Sequence, residues 1–532
     1  MKKTGQPYAT WRPDDDYDAV VIGSGIGGLG IASLLSRHSH AKVLVLERHT
    51  KAGGFTHAFS RKGWDWDVGV HYIGQMHREG SMLRRLFDDI TDGTLEWEPM
   101  GEVYDTVVIG ERRWEYVEGR NAWRERMHSY FPEQQVAIDR YLDRVKEAIG
   151  SARTFFAEKA LPRSAAFVAG PWMRRAFLRH SDLTLGQVLE ETTADPALRA
   201  VLAAQFGDHG LPPSQASFAI HAMIFNHYLG GAAYPVGGAS RIAETVAPVI
   251  EAAGGQIVVG AEVASVVTEG SRAVGVRMAD GREIRAPLVV SDVGVPNTVT
   301  RLLPAGTPGR KELRATLQHT ARSASHICLY VGLGATDEDL GLERSNLWVY
   351  HSTDQDGDFA RYLADPEAPL PLAYISFPSA KDPDFQQRHP GKATIEVVGI
   401  APYDRFRRWK DTRWMKRGED YQAVKEDLSR RLLEILEREV PQTAGRISYY
   451  ELSTPLSTRH FGAYDEGEIY GLEHTPARFR QRALRPQTGL KGFFLTGQDV
   501  CTAGIAGALF GAALSASAIL RRNLLSEIGR DR

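Results

Sequence analysis

The chain has 532 residues, more than a single hydrophobic core usually serves, so two or more domains are expected. Its 64 basic and 66 acidic residues leave a net charge of -2, a balance that gives no support to a nucleic-acid partner. Two cysteines far apart in sequence, Cys328 and Cys501, exclude a disulfide framework, and without CxxC or HExxH spacings a metal site has no support.

In chain order, Met1 to Asp16 is polar and has no apolar signal-peptide region, which together with sparse cysteine points to a cytoplasmic protein. The first structural signal follows at once. Residues 17–22 form a short apolar strand that opens into Gly23, Gly25 and Gly28 in G-x-G-x-x-G register. A second apolar strand, Lys42 to Glu47, ends on an acid. In this arrangement Gly23 makes the turn, Gly25 admits a pyrophosphate, Gly28 lets helix and strand pack, and Glu47 reaches a ribose hydroxyl. The helix N-terminus offers free N–H groups and partial positive charge to the phosphates.

Helical periodicity at Val136, Tyr141, Leu142, Val145 and Ile149 predicts a helix. Residues 151–180 then interleave aromatic and aliphatic residues with Arg153, Lys159, Arg163, Arg174, Arg175 and Arg179. Such a segment suits either a peripheral membrane contact or a basic-edged lid over the core. Short strands are expected at Gln256, Val263, Ala273 and Leu288, punctuated by glycine turns, and again at Ile327, Leu372 and Thr394. A second helix, at Val424 to Leu436, is expected to end before Pro441. Near the C-terminus, Gly492 to Gly497 reads as a strand ending in glycine. Cys501 to Leu520 carries no charge, yet its many small residues fit a buried helix better than a membrane span.

Glu47 followed by Gly53-Gly54, together with the Gly497 to Gly507 segment, resembles the flavin-binding amine oxidase and phytoene desaturase superfamily. The segments Trp66 to Gly74, Ala233 to Gly238 and Gly497 to Gly504 look most like its retinol saturase and carotenoid isomerase branch, bacterial members included, with similarity from about Asp16 to Leu520. The resemblance implies an α/β fold: a Rossmann-like FAD-binding domain of the amine-oxidase (GR2) type, assembled from residues 14–75, 234–300 and 485–525, plus an α+β substrate domain from 76–233 and 301–484. It implies FAD contacts at Gly23, Ser24, Gly25, Gly28, Glu47, Arg48, Gly53, Gly54, Val263, Gly497, Asp499, Gly504 and Ile505. No second strand-G-x-G-x-x-G-helix unit is present, so NAD(P)H, if it donates electrons, would bind transiently.

The expected activity is FAD-dependent redox chemistry on a C=C bond of an apolar isoprenoid or polyene, as in a saturase. Desaturation and isomerisation are the alternatives, and a flavin-free prenyl-binding chaperone is the alternative outside enzymes. FAD carries the electrons, so the protein must supply a proton donor. His71 and Tyr72, just after Gly69, and Tyr234, before the Pro235 turn, are the candidates by position. No metal is expected, and the sequence leaves the oligomeric state open.

Overall fold

In the computed structural model, residues 4–14 and 16–530 are described. A six-stranded parallel sheet organises the first half of the molecule. Its order is Gln6–Pro7, Gln256–Val259, Val43–Glu47, Ala19–Ile22, Leu288–Ser291 and Phe493–Leu495. Its central strands are apolar runs because both faces are covered. Ala19, Val21, Val43 and Val45 face one core, with the helices Ile26–Ser39, Arg241–Ala252 and Gly504–Leu520. Val20, Ile22, Leu44 and Leu46 face the other, beneath the three-stranded meander Val263–Glu269, Arg272–Met278 and Glu283–Arg285. The alternation is the period of two that a strand imposes.

The uncharged C-terminal helix is a core element. A Cβ on Gly30 would lie 2.7 Å from Leu509 and 3.2 Å from Ala512, so small residues let the two helices close on each other. Among the described residues no helix is long and apolar enough to cross a membrane. The helix Met82–Thr91, which the sequence reading assigned to the substrate domain, also packs Leu83, Leu86, Phe87 and Ile90 into this core.

A seven-stranded mixed sheet forms the second half. Its order is Ile447–Ser453, His326–Leu333, Ala393–Ile400, Leu372–Ser376, Asn346–Tyr350, Val103–Ile109 and Arg112–Val117. The three strands expected at Ile327, Leu372 and Thr394 are all in it. A helical lobe built on Gln135–Ala160, Arg163–Ser181 and Phe218–Leu229 packs beside it. The halves are stitched together by the Ala58–Arg61/Trp64–Asp67 hairpin, whose Trp64 and Trp66 indole N–H groups each donate over 3.1 Å to Leu333 O and Val331 O.

Candidate active site

One cavity of about 2400 Å³ runs between the halves. That is more than twice the volume typical of a site for one drug-sized ligand. Its inner end is the dinucleotide seat. Gly23 has φ of 99°, and a Cβ on Gly28 would collide with Gly23 O, so the glycines are needed for the turn and for the close helix. Gly54 lies so close that its Cβ would be 2.9 Å from Gly25 Cα, which presses the second glycine loop onto the first. The Ile26–Ser39 helix starts without a side-chain cap, leaving N–H groups at its N-terminus for phosphate oxygens.

Glu47 accepts from Ser24 N at 2.9 Å, Ser24 Oγ at 2.7 Å and His49 N at 2.7 Å. A carboxylate has about four lone-pair sites, so capacity remains for a sugar hydroxyl. Ser24 also receives Gly53 N on its Oγ, and so braces strand end to loop. Arg48 bridges to the carbonyls of His460 and Phe461. Asp499 accepts from Val295 N at 2.7 Å and Leu472 N at 2.9 Å, holding the loop that precedes the Gly504–Leu520 helix. That helix too begins without a side-chain cap.

Of the residues expected to bind cofactor, Gly23, Ser24, Gly25, Glu47, Arg48, Gly54, Val263, Asp499, Gly504 and Ile505 line the cavity. Gly28, Gly53 and Gly497 lie behind its wall and act through packing. Asp292, not among the residues expected from sequence, also reaches this seat. Its carboxyl accepts from Gly28 N at 2.7 Å, where phosphates are expected, and burial pushes it up to about 8. The signal was an acid directly after an apolar strand.

Further along the cavity, His71 and Tyr72 both line the wall. Burial lowers His71 to about 3, so it is a neutral imidazole. Its Nδ1 lies 2.9 Å from Glu396 Oε2, without hydrogen-bond alignment. The Tyr72 hydroxyl donates to Asp105 Oδ2 at 2.8 Å, and its ring stacks on Tyr228 with centroids 4.2 Å apart. Tyr234 does not line the cavity: its hydroxyl donates to Asp67, whose other oxygen accepts from Ala239 N. Tyr234 is thereby a latch at a strand end, and a proton-donor role has no geometric support.

Behind His71 and Tyr72 lies a buried polar network that sequence spacing could not reveal. Lys381 Nζ donates to His71 O at 3.0 Å, to Ser376 Oγ at 2.7 Å and to Asn346 Oδ1. Burial lowers Lys381 to about 7 and raises Glu396 to about 8 and Asp67 to about 7. The network fixes the floor under His71. Among the described residues no cluster of His, Cys, Asp and Glu could hold a metal.

The glycine cradle, the acid with spare acceptor sites and two helix N-termini without an N-cap side chain, one of them with Asp292 on Gly28 N, all fit a flavin dinucleotide. A seat of this kind on this two-sheet fold defines a flavin-dependent oxidoreductase. The chain belongs to the flavin containing amine oxidoreductase family, whose profile matches residues 26–520. It is 38% identical to an all-trans-retinol 13,14-reductase of Danio rerio, over 98% of this chain and 88% of that one. It is 26% identical to a chloroplastic prolycopene isomerase of Arabidopsis thaliana, over 86% of this chain and 74% of that one. A putrescine oxidase bound to putrescine shares the fold, with a TM-score of 0.65 and 15% identity over 95% of this chain and 99% of that one.

Proposed function

We propose that this protein saturates a C=C bond of an elongated apolar polyene or isoprenoid alcohol at an FAD seat, as its retinol-reductase relatives are named for doing. The observation that carries the reading is the continuity of the cavity. Its wall includes Glu47 and Gly504, His71 and Tyr72, Ile220, Met223 and Ile224, and Leu161 and Met173. A largely apolar cavity of that volume suits a chain-like hydrocarbon and offers little to a small amine. FAD would be held by the glycine cradle, Glu47, Asp499 and the two helix N-termini, and when bound it supplies hydride chemistry. The chain's own residues keep the channel dry, present the aromatic wall of Tyr72 and Tyr228, and keep His71 neutral. With no second dinucleotide fold among the described residues, the electron donor is read as a transient visitor, NAD(P)H included.

The test is anaerobic. The flavin is reduced with dithionite and mixed with all-trans-retinol, and the spectrum and product mass are recorded. Flavin reoxidation with a product two hydrogens heavier supports saturation. An isomer of unchanged mass, or a product two hydrogens lighter from oxidised flavin, moves the assignment to the isomerase or desaturase alternative.

Exposed apolar residues beside the cavity support peripheral membrane contact. On the Arg163–Ser181 helix, which also gives Met173 to the cavity wall, Phe167, Val168 and Trp172 are 73%, 79% and 78% exposed. Arg175 and Arg179 are exposed on the same helix. Arg174, which the sequence reading placed with them, is instead buried: it donates to Phe479 O and covers the Phe155 ring. Lys159 is also buried and donates to Val500 O at 2.7 Å. Changing Phe167, Val168 and Trp172 together to Ser is expected to abolish co-sedimentation with anionic liposomes. Unchanged co-sedimentation removes the membrane reading.

A further inference from the structure

We propose that Asp208 is the proton donor to the substrate's alkene carbon, an inference that rests on the saturase reading above. Asp208 ends the short helix Ala204–Asp208 and lines the cavity beside Tyr72 and Tyr228. Its Oδ2 is buried without a hydrogen-bond partner, and among the described residues no Lys, Arg or His pairs with its carboxyl. Asp105 and the phenols of Tyr72, Tyr228, Tyr350, Tyr374 and Tyr470 are near enough to interact with it electrostatically.

A carboxylate without donors in such a place is costly, and the neighbouring Asp105 makes it costlier. Burial accordingly holds the Asp208 carboxyl well above its ordinary range, which favours its protonated form. No protein acceptor takes that proton.

Two neighbouring phenols are otherwise engaged: the Tyr72 proton goes to Asp105 and that of Tyr470 to Gly207 O at 3.2 Å. Burial raises both of them and Tyr228, and weakens all three as acids. His71 is neutral, held far below the pH at which it would gain a second proton. Asp208 is then the acid whose strength and free proton best suit the step.

The step balances simply. Reduced flavin, when bound, would supply a hydride, two electrons, to one alkene carbon. The Asp208 O–H bond breaks, and its proton bonds to the other carbon. The carboxylate left behind is reprotonated from water, and a two-electron donor, dithionite in the test, reduces the flavin again.

The test compares wild type, D208N and D208E as flavin-loaded proteins. D208N is expected to keep flavin absorbance and retinol binding, while retinol reoxidises its dithionite-reduced flavin at least about 100-fold more slowly. D208E is expected to restore the rate to within about ten-fold of wild type. Independently of turnover, the wild-type-minus-D208N infrared difference spectrum at neutral pH should carry a neutral carboxylic-acid carbonyl band that D208E shifts, the bands of Asp292, Glu396 and Asp67 cancelling because both proteins share them. An unchanged rate in D208N, a defect confined to retinol affinity, or the absence of that band overturns the assignment. Should D208N not fold, the D208E band shift and rate decide. A wild-type protein that reduces no polyene overturns the saturase reading itself, whereas an active wild type with an equally active D208N removes Asp208 alone.

Discussion

The Tyr72 hydroxyl and Asp105 Oδ2 meet at 2.8 Å across the junction of the two halves of the molecule. Tyr72 lies on the segment leaving the flavin-side hairpin, and Asp105 lies on a strand of the mixed sheet. Asp105 also accepts from Gln205 Nε2 and Asn346 Nδ2, each at 3.0 Å, and burial still raises it to about 6. Tyr72→Phe would leave Asp105 two donors, so a loss of about 1–2 kcal/mol is expected. Turnover should fall less than about ten-fold, since the departing proton was never free for substrate. Denaturant midpoints and single-turnover flavin reoxidation check both numbers. A complete loss of turnover with full stability would return Tyr72 to the chemistry.

Gly28→Ala drives a methyl group into Gly23 O. The turn and the helix start cannot both persist, so flavin occupancy should fall at least about ten-fold. The ratio of flavin to protein absorbance after purification measures it.

His71→Phe is expected to keep flavin and lose most turnover, because the ring forms the cavity wall above the Lys381–Glu396 network. The pH profile adds a sharper check. Burial holds His71 near 3, so between pH 5 and 8 the wild-type profile should show no step from this residue. A step near pH 6.5 that disappears in His71→Phe would contradict the neutral assignment.

Asp292 makes the phosphate end of the seat sensitive to alkali. Its ordinary value is 3.8 and its buried value about 8. Between these values the folded chain holds a proton that the unfolded chain has released, so this group's contribution to stability falls as pH rises through that window. Above about pH 8 the ionised carboxyl also faces the pyrophosphate with like charge. Flavin retained after ultrafiltration should drop between pH 7 and pH 9 in wild type and stay level in Asp292→Asn. Equal losses in both proteins would refute the account.

The glycine cradle proposed to seat flavin was legible in sequence because each of its parts is local. A strand, a glycine turn and a helix start are neighbours in the chain, and the physics of the turn fixes which residue stands where. The buried helix Gly504–Leu520 could be read from its lack of charge and its small residues. The working end could not. Asp208, Asp105, Lys381 and Glu396 come from segments separated by tens to hundreds of residues, and no periodicity links them. Tyr234 misled because proximity to a glycine turn says nothing about where a hydroxyl points. Arg174 misled for a related reason: a helix with arginines at adjacent positions turns one of them inward, and here that one reaches Phe479.

Strand order has a consequence for how the chain comes off the ribosome. The Leu288–Ser291 strand is flanked by Ala19–Ile22 on one side and by Phe493–Leu495 on the other, so one edge neighbour arrives only at the very end of synthesis. The nascent protein must hold an open sheet edge and an uncovered apolar helix face until then, a state that invites wrong pairing. A premature stop anywhere before Phe493 would therefore give an aggregating fragment that cannot seat flavin, rather than a weakened enzyme.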